Sequence, residues 1–330
     1  MASKRIRRRF LTPVVNILTA VCFPLVQILP LAVNHMLARS IGVLIYCMPW
    51  ARKLVVANLA IAFPDWNDRR RKAVARRSLQ NVCRSYLEFV WYLARQEHIT
   101  AYVEFSDTEQ RKYHDKCIVG KGSILITPHI GNFELGHLAS NAHGIVTGAV
   151  AARITNPNLA RKVTAGRTGM GAEIIDEKGA AKMLLRRLRN GQDVALLVDQ
   201  NTRPRRGGIY VDFFGLPVPV TRAPAMFARR TGAPVFVCAC VRDESDRLRM
   251  QVHPLPRNST DYASDAELTQ EINAITETII RETPDQYLWL YRRWRYIPPD
   301  FDAAKRGSFP YYAKVHSGKQ DREQRRQPEE

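Results

Sequence analysis

Hydrophobic and polar positions divide this chain into distinct textures. Residues 10 to 33, FLTPVVNILTAVCFPLVQILPLAV, carry no charge, and a second apolar run, Ile41 to Trp50, follows soon after. From Asp68 to Leu93 the apolar positions Val74, Leu79, Val82, Tyr86, Phe89 and Leu93 recur at three to five residues, which predicts an amphipathic helix with strongly basic first turns. From Ser123 the texture changes. Short β-type runs at 123–128, 144–152, 172–175, 193–199 and 234–241 alternate with helical patterns at 133–143, 158–168, 178–190 and 223–231. Several of the β-type runs are apolar throughout, as strands covered on both faces are. A last long helix over 265–282 precedes the aromatic segment Tyr287 to Tyr296.

Strands alternating with helices predict an α/β fold, with a mostly parallel sheet flanked by helices. The uncharged stretch near the start is long enough to cross a bilayer, at about 20 residues. Pro13, Pro24 and Pro30 interrupt it, and a proline inside a spanning helix leaves a backbone carbonyl unpaired in lipid. An anchor that dips into the membrane or lies along it therefore competes with a full span, and a buried hairpin is the third reading. The basic nonapeptide MASKRIRRR ahead of it argues for a cytoplasmic N-terminus. Three parts follow: an N-terminal membrane-associated helical segment at 1–50, an α/β domain at 51–301, and a flexible polar tail at 302–330.

Charge changes the picture of partners. The 330 residues hold 50 Lys and Arg against 31 Asp and Glu, a formal net charge of +19. Such an excess attracts an anionic lipid surface, an acidic protein or nucleic acid. Of six cysteines only Cys238 and Cys240 are close, and C-x-C fits neither a zinc knuckle nor a redox pair, so they read as small core residues.

The chain has no G-x-S-x-G elbow, no G-x-x-x-x-G-K-[ST] loop and no H-E-x-x-H. The glycines of GRTGMG (166–171) read as a turn, and His129, Glu134 and His137 do not form a convincing metal set, so no metal is expected. What is present is SILITPHIGNFELGH, in which His129 and Glu134 form H-x4-E at a strand-to-helix junction. Positions five apart on a helix diverge by about 140°, so the two side chains meet only if His129 lies in the loop and Glu134 in the first helical turn. Gly131 supplies backbone freedom and Asn132 is a good N-cap. An imidazole held beside a carboxylate at the C-terminal edge of a sheet is a general base, and it needs no protein nucleophile if a substrate hydroxyl attacks.

The H-x4-E pair has company: NLAIAFP (58–64), R-x-x-N-P (Arg153, Asn156, Pro157), G-R-x-G (166–169), LLVDQ (196–200), DFFG (212–215) and PDQYLWLYRRW (284–294). In this order the set resembles the late acyltransferases of bacterial lipid A biosynthesis, within the wider H-x4-D/E glycerolipid acyltransferase superfamily, over roughly residues 10 to 300. The resemblance implies transfer of a fatty acyl chain from acyl carrier protein to a hydroxyl of an anionic glycolipid acceptor, at the cytoplasmic face of the bacterial inner membrane. It implies no cofactor beyond the thioester co-substrate. It implies His129 as catalytic base and Glu134 as its orienting acid, with Asp199, Arg167 and, more weakly, Arg153 in or near the substrate site. Phe213 and Phe214 read as core, and Gln200 is adjacent without an assigned role. Two rivals are an acyltransferase acting on a phosphatidylinositol mannoside or lysophospholipid, and a basic nucleic-acid-binding protein. The second has only the charge in its favour, so nucleic acid is not an expected partner.

Overall fold

The computed structural model describes residue 16 and residues 19–316, apart from 119, 152–153, 155, 170–172 and 177–178. Helices α1 (Thr19–Ile28), α2 (Leu31–Cys47) and α3 (Pro49–Ala62) lead into the long α4 (Asp68–Tyr92), whose N-cap Asn67 accepts from the Arg70 amide. A short helix α5 (Ile99–Tyr102), strand β1 (Val103–Glu104) and α6 (Asp107–His114) follow. The alternating part then runs β2 (Ile124–Thr127), α7 (Phe133–Ala142), β3 (Thr147–Ala151), α8 (Pro157–Thr168), β4 (Glu173–Asp176), α9 (Ala180–Arg189) and β5 (Asp193–Leu197). A hairpin of β6 (Gly208–Phe213) and β7 (Leu216–Thr221) leads to α10 (Ala223–Thr231), β8 (Val235–Arg242), β9 (Leu248–Pro254) and α11 (Asp265–Glu282).

One seven-stranded sheet has the order β1-β9-β8-β2-β5-β3-β4. Strands β8, β2, β5, β3 and β4 are mutually parallel, while β9 runs antiparallel to β8 and parallel to β1. The mainly parallel α/β sheet flanked by helices is the architecture that the alternation predicts. Its wholly apolar strands follow from burial on both faces. Ile124 and Ile126 of β2 pack in one core with Leu184 and Leu188 of α9 and Leu268 of α11, while Leu125 between them packs with Leu135 and Leu138 of α7 in a second core. The chain builds the sheet outward from β2 in one direction, through β3 and β4 and back to β5, then crosses to β8 on the other side. This reversal at β2 opens a crevice at the C-terminal strand ends, where ligands of such sheets bind.

Cys238 and Cys240 are buried on β8, and burial pushes both thiols up to about 12, which suits inert core residues. Phe213 and Phe214 are likewise core, packed against Trp294 and Trp289. The 3₁₀ turn Ala303–Ser308 and the pair β10 (Tyr296–Ile297) and β11 (Lys314–Val315) correct the reading of a loose tail from residue 302. Phe309 and Tyr312 are buried, and the Tyr312 hydroxyl donates to Asn58 Oδ1. These aromatics were hidden among charges in the sequence. Residues 317–330 lie outside the described residues.

The N-terminal helices are not a detached segment. Asn34 Nδ2 donates to the Val26 carbonyl at 2.8 Å, tying α1 to α2. His35 Nε2 lies 2.7 Å from Glu88 of α4, a carboxylate with no exposed surface. The other face of α1 and α2 is apolar and open: Leu25, Ile28, Met36 and Leu44 are all exposed, next to exposed Trp50 at the start of α3 and beside exposed Arg39, Arg52 and Lys53. Among the described residues no single helix is long and apolar enough to cross a membrane. Helices α2 and α3, which meet at 90°, pass that test only as a pair.

Candidate active site

His129 stands two residues beyond the end of β2, in a loop fixed by its backbone. Its amide donates to Asp199 Oδ2 at 2.9 Å, and its carbonyl accepts from the Leu288 amide at 3.0 Å. Gly131 and Asn132 complete the turn into α7. Gly131 has φ +57, its amide donates to the Gln286 carbonyl, and the Asn132 amide donates to the Cys240 carbonyl at 2.8 Å. Asn132 Oδ1 accepts from the Leu135 amide at 3.2 Å, the N-cap that the sequence predicts. The other end of that amide donates to Glu88 Oε2 at 2.9 Å. Glu88 also accepts from Tyr102 and is bridged by Arg84 and Arg242.

The imidazole is oriented by Asp199, where the sequence reading gave that task to Glu134. His129 Nδ1 lies 2.6 Å from Asp199 Oδ1. A carboxylate there accepts the Nδ1 proton, so Nε2 carries the lone pair and faces the side-chain nitrogen of Gln200 at 3.2 Å. Glu134 begins α7, as required of a residue that approaches His129 from the first helical turn, but its carboxylate is taken by another cation. Arg167 Nε donates to Glu134 Oε2 at 3.1 Å, and a second guanidinium nitrogen donates to Oε1. This two-point pairing is the geometry arginine forms best with a carboxylate. Arg167 sits in the last turn of α8, so the first glycine of G-R-x-G belongs to a helix and not to a turn. Arg153 lies outside the described residues.

Electrostatics agree with this division. Burial works to lower the His129 pKa, but the charge and hydrogen bond of Asp199, helped by the charge of Glu134, outweigh it and hold the pKa above the ordinary histidine value. For Asp199, burial works to raise its pKa. The His129 charge and two hydrogen bonds from that residue, with Arg293 nearby, hold it below the ordinary carboxylate range. His137, one turn beyond Glu134, is pushed down to about 4 by burial and by the Arg167 charge, so it is neutral near pH 7.

His129, Glu134 and Arg167 line one cleft of about 430 Å³ with Gln200, Phe133 and Tyr86. Leu138, Ala149, Ile174 and Leu196 give it an apolar wall. Among the described residues lining it there is no serine or cysteine. The arrangement therefore offers a base with its lone pair toward a cleft, a fixed guanidinium beside it and an apolar recess. Among the described residues it offers no serine or cysteine nucleophile. Among the described residues no group of three or more His, Cys, Asp and Glu is placed to hold a metal ion.

Two motifs at a distance in sequence support this site from behind. Asn58 of NLAIAFP donates to the Trp289 and Tyr291 carbonyls at 2.7 and 2.8 Å. This clamps the PDQYLWLYRRW segment, whose backbone at 286 and 288 holds the His129 loop. The sequence reading missed Ser85, Glu88 and Gln286 as supports of that loop. Nothing local marks them, because their partners are 44 to 47 residues or more away.

Comparison with known proteins falls in line with this geometry. A family model described as "Bacterial lipid A biosynthesis acyltransferase" matches residues 1–296. The chain is 26% identical over 286 residues to the lipid A biosynthesis lauroyltransferase of Escherichia coli (strain K12), spanning 83% of this chain and 89% of that protein. It is 22% identical over 247 residues to a lipid A biosynthesis acyltransferase of Haemophilus influenzae, spanning 74% and 77%. Over a shorter stretch of 182 residues, 53% of this chain and 57% of the relative, it is 29% identical to a phosphatidylinositol mannoside acyltransferase of Mycolicibacterium smegmatis.

Proposed function

The chain belongs to the bacterial lipid A biosynthesis acyltransferase family, and we propose that it moves a fatty acyl chain from acyl carrier protein to a hydroxyl of a lipid A precursor. The observation that carries this reading is the His129–Asp199 pair, whose Nε2 faces an apolar-backed cleft lined by no serine or cysteine among the described residues. The acceptor hydroxyl gives its proton to Nε2 as its oxygen attacks the thioester carbonyl. Asp199 stabilises the imidazolium that forms. Arg167, fixed by Glu134, supplies positive charge beside the tetrahedral oxyanion or a substrate phosphate. Collapse of the intermediate breaks the C–S bond, and the proton on His129 goes to the departing thiolate. No cofactor is needed.

The net charge of +19 suits an acidic carrier protein and an anionic acceptor. The open apolar face of α1 and α2, with Arg39, Arg52 and Lys53 beside it, suits a helix pair lying in the headgroup region of an acidic bilayer, at the cytoplasmic face of the inner membrane. A second reading keeps the chemistry and changes the acceptor: the similarity to a phosphatidylinositol mannoside acyltransferase favours another anionic glycolipid. Mass spectrometry of lipid A from cells lacking this protein decides between them. Loss of one acyl mass, restored by the wild type and not by His129→Ala, is the expected result. Unchanged lipid A with altered glycerophospholipid-linked glycolipids would support the second reading.

A further inference from the structure

Beside the catalytic cleft lies a second one, of about 620 Å³. The two share Val150, Leu196 and Leu197, so the end of β5 is the wall between them. The segment beyond that wall serves both sides: Gln200 faces His129, and Asn201 lines the second cleft. The floor of the second cleft is hydrocarbon, from Leu184, Pro224 and Phe227. Its rim is basic. Arg203 and Arg206 come from the turn Pro204–Arg206 and the residue before it. The Arg203 guanidinium lies 5.3 Å from the Tyr296 ring centre and donates from Nε to the Tyr296 hydroxyl at 3.0 Å. Its two terminal nitrogens have no hydrogen-bond partner among the described residues, and neither arginine has a carboxylate within ion-pair distance among them. Helices α9 and α10 begin in the same wall, with Ala180 and Ala223, so their positive ends add to the field.

We propose that this cleft is a second binding site, for the phosphate-bearing end of the acceptor lipid. The arginines take the phosphate, the apolar floor takes an acyl chain, and the sugar crosses the Leu197 wall to present its hydroxyl to His129. A guanidinium held by Tyr296 and a second, exposed one, neither with a carboxylate partner among the described residues, over an apolar floor match a phosphorylated amphiphile better than a neutral one. This inference rests on the acyltransferase reading for the identity of the ligand, though not for the chemistry of the cleft.

The test uses the full chain in nonionic detergent and the pair Arg203→Ala/Arg206→Ala, with Arg203→Lys/Arg206→Lys as the charge-preserving control. For a phosphorylated tetra-acylated glucosamine disaccharide, the alanine pair raises KM by about tenfold or more, the usual worth of hydrogen bonds to a charged group. Its kcat and its KM for the acyl carrier protein thioester stay within about threefold of wild type. For the dephosphorylated disaccharide, wild type and alanine pair have the same KM, and the lysine pair recovers part of the phosphate effect. Binding is read separately from turnover: dodecyl phosphate raises the melting temperature of wild type and of His129→Ala, but not of the alanine pair, and dodecanol raises none by as much. An equal KM rise for both disaccharides would overturn the proposal. So would a rise confined to the donor, or weakened vesicle binding with an unchanged acceptor KM. If no variant transfers acyl groups but dodecyl phosphate still discriminates, the acyltransferase reading fails while the anionic site stands.

Discussion

His129 and Asp199 occupy equivalent places just beyond the ends of two neighbouring parallel strands. The register of β2 and β5 pairs Thr127 with Leu197, and each of the two residues stands two positions further on. The strand pairing itself therefore delivers imidazole and carboxylate to one spot, 2.6 Å apart. Asp199 grips both the ring and the backbone amide of His129, so it fixes where the imidazole is as well as which nitrogen is free.

Asp199→Asn tests that grip. The shape is kept, but the amide cannot stabilise an imidazolium and permits the wrong tautomer. Transfer should fall by about 10²–10⁴-fold with little change in acceptor KM. The pH profile carries the sharper signature. In the proposed mechanism transfer needs neutral His129, whose pKa is held above the ordinary histidine value, so the rising limb of kcat/KM in the wild type should have its midpoint above that value. Without the Asp199 charge, burial dominates and the limb moves to lower pH. Stability moves the other way: the part due to the His129–Asp199 pair is full below the unfolded-state histidine pKa. It is lost as pH rises through the higher folded value. An Asn variant whose limb stays in place would mean another group sets this pKa.

Glu134 is paired with Arg167, and in the proposed mechanism it acts through that residue. Glu134→Ala leaves the Asp199 bond intact, so its pH limb should move less than that of Asp199→Asn, since only the smaller effect of its charge on His129 is lost. Its rate should still fall, because Arg167 loses its two-point anchor. Arg167→Ala should fall by a similar factor, and the double variant by little more than either single one. Additive losses in this cycle would show that the two residues serve separate tasks.

Much of the frame was legible because it rests on local pattern. Apolar runs and amphipathic helices follow from periodicity, and the His129 loop and the Asn132 cap from the junction around Gly131. The partner of His129 was not legible. H-x4-E puts a carboxylate close in sequence, whereas the one that binds Nδ1 is 70 residues away, and only the β2–β5 register brings it there. The Arg167 pairing depends likewise on how α8 crosses α7. The hairpin β6–β7 escaped because its prolines, Pro217 and Pro219, are poor strand formers; with a single partner, β7 tolerates them. The 302–316 segment escaped because its two buried aromatics, Phe309 and Tyr312, are outnumbered by the charged Asp302, Lys305, Arg306 and Lys314.

The N-terminal helices give a prediction about membrane and stability together. Replacing Ile28, Leu44 and Trp50 by Ser, Ser and Gln removes exposed apolar surface only. It should release the protein from acidic vesicles in flotation while its melting temperature holds. Deleting residues 1–35 instead removes His35 from the buried Glu88 and cuts α2 short. That variant should lose stability as well as vesicle binding, because Glu88 is left with fewer of the partners that hold its pKa below the carboxylate range against burial. Full vesicle binding by the triple variant would move the anchor to residues outside this face.

Gly131→Ala should damage the site beyond its effect on stability. A β-carbon at Gly131 would stand 2.0 Å from the Cys240 carbonyl oxygen, at a backbone φ of +57. The left-handed conformation alone costs about 1–2 kcal/mol for a residue with a side chain. The overlap adds a displacement, because the oxygen it meets is the one that accepts from the Asn132 amide. The loop has to leave β8, and with it go the Asn132 bond and the Ser85 hydroxyl bond to the Gly131 carbonyl, 2.8 Å in the wild type. His129 is two residues away, and a shift of its ring by about 1 Å is enough for a loss of about 10²-fold. Gly144→Ala is the control: its φ is +82 and nothing lies within 4 Å of the added carbon, so it carries the strain without the overlap. Both variants should melt lower than wild type. Only Gly131→Ala should lose transfer when rates are measured at a temperature where both are folded. Equal rates for the two would show that the tight packing of this loop against β8 is not what places His129.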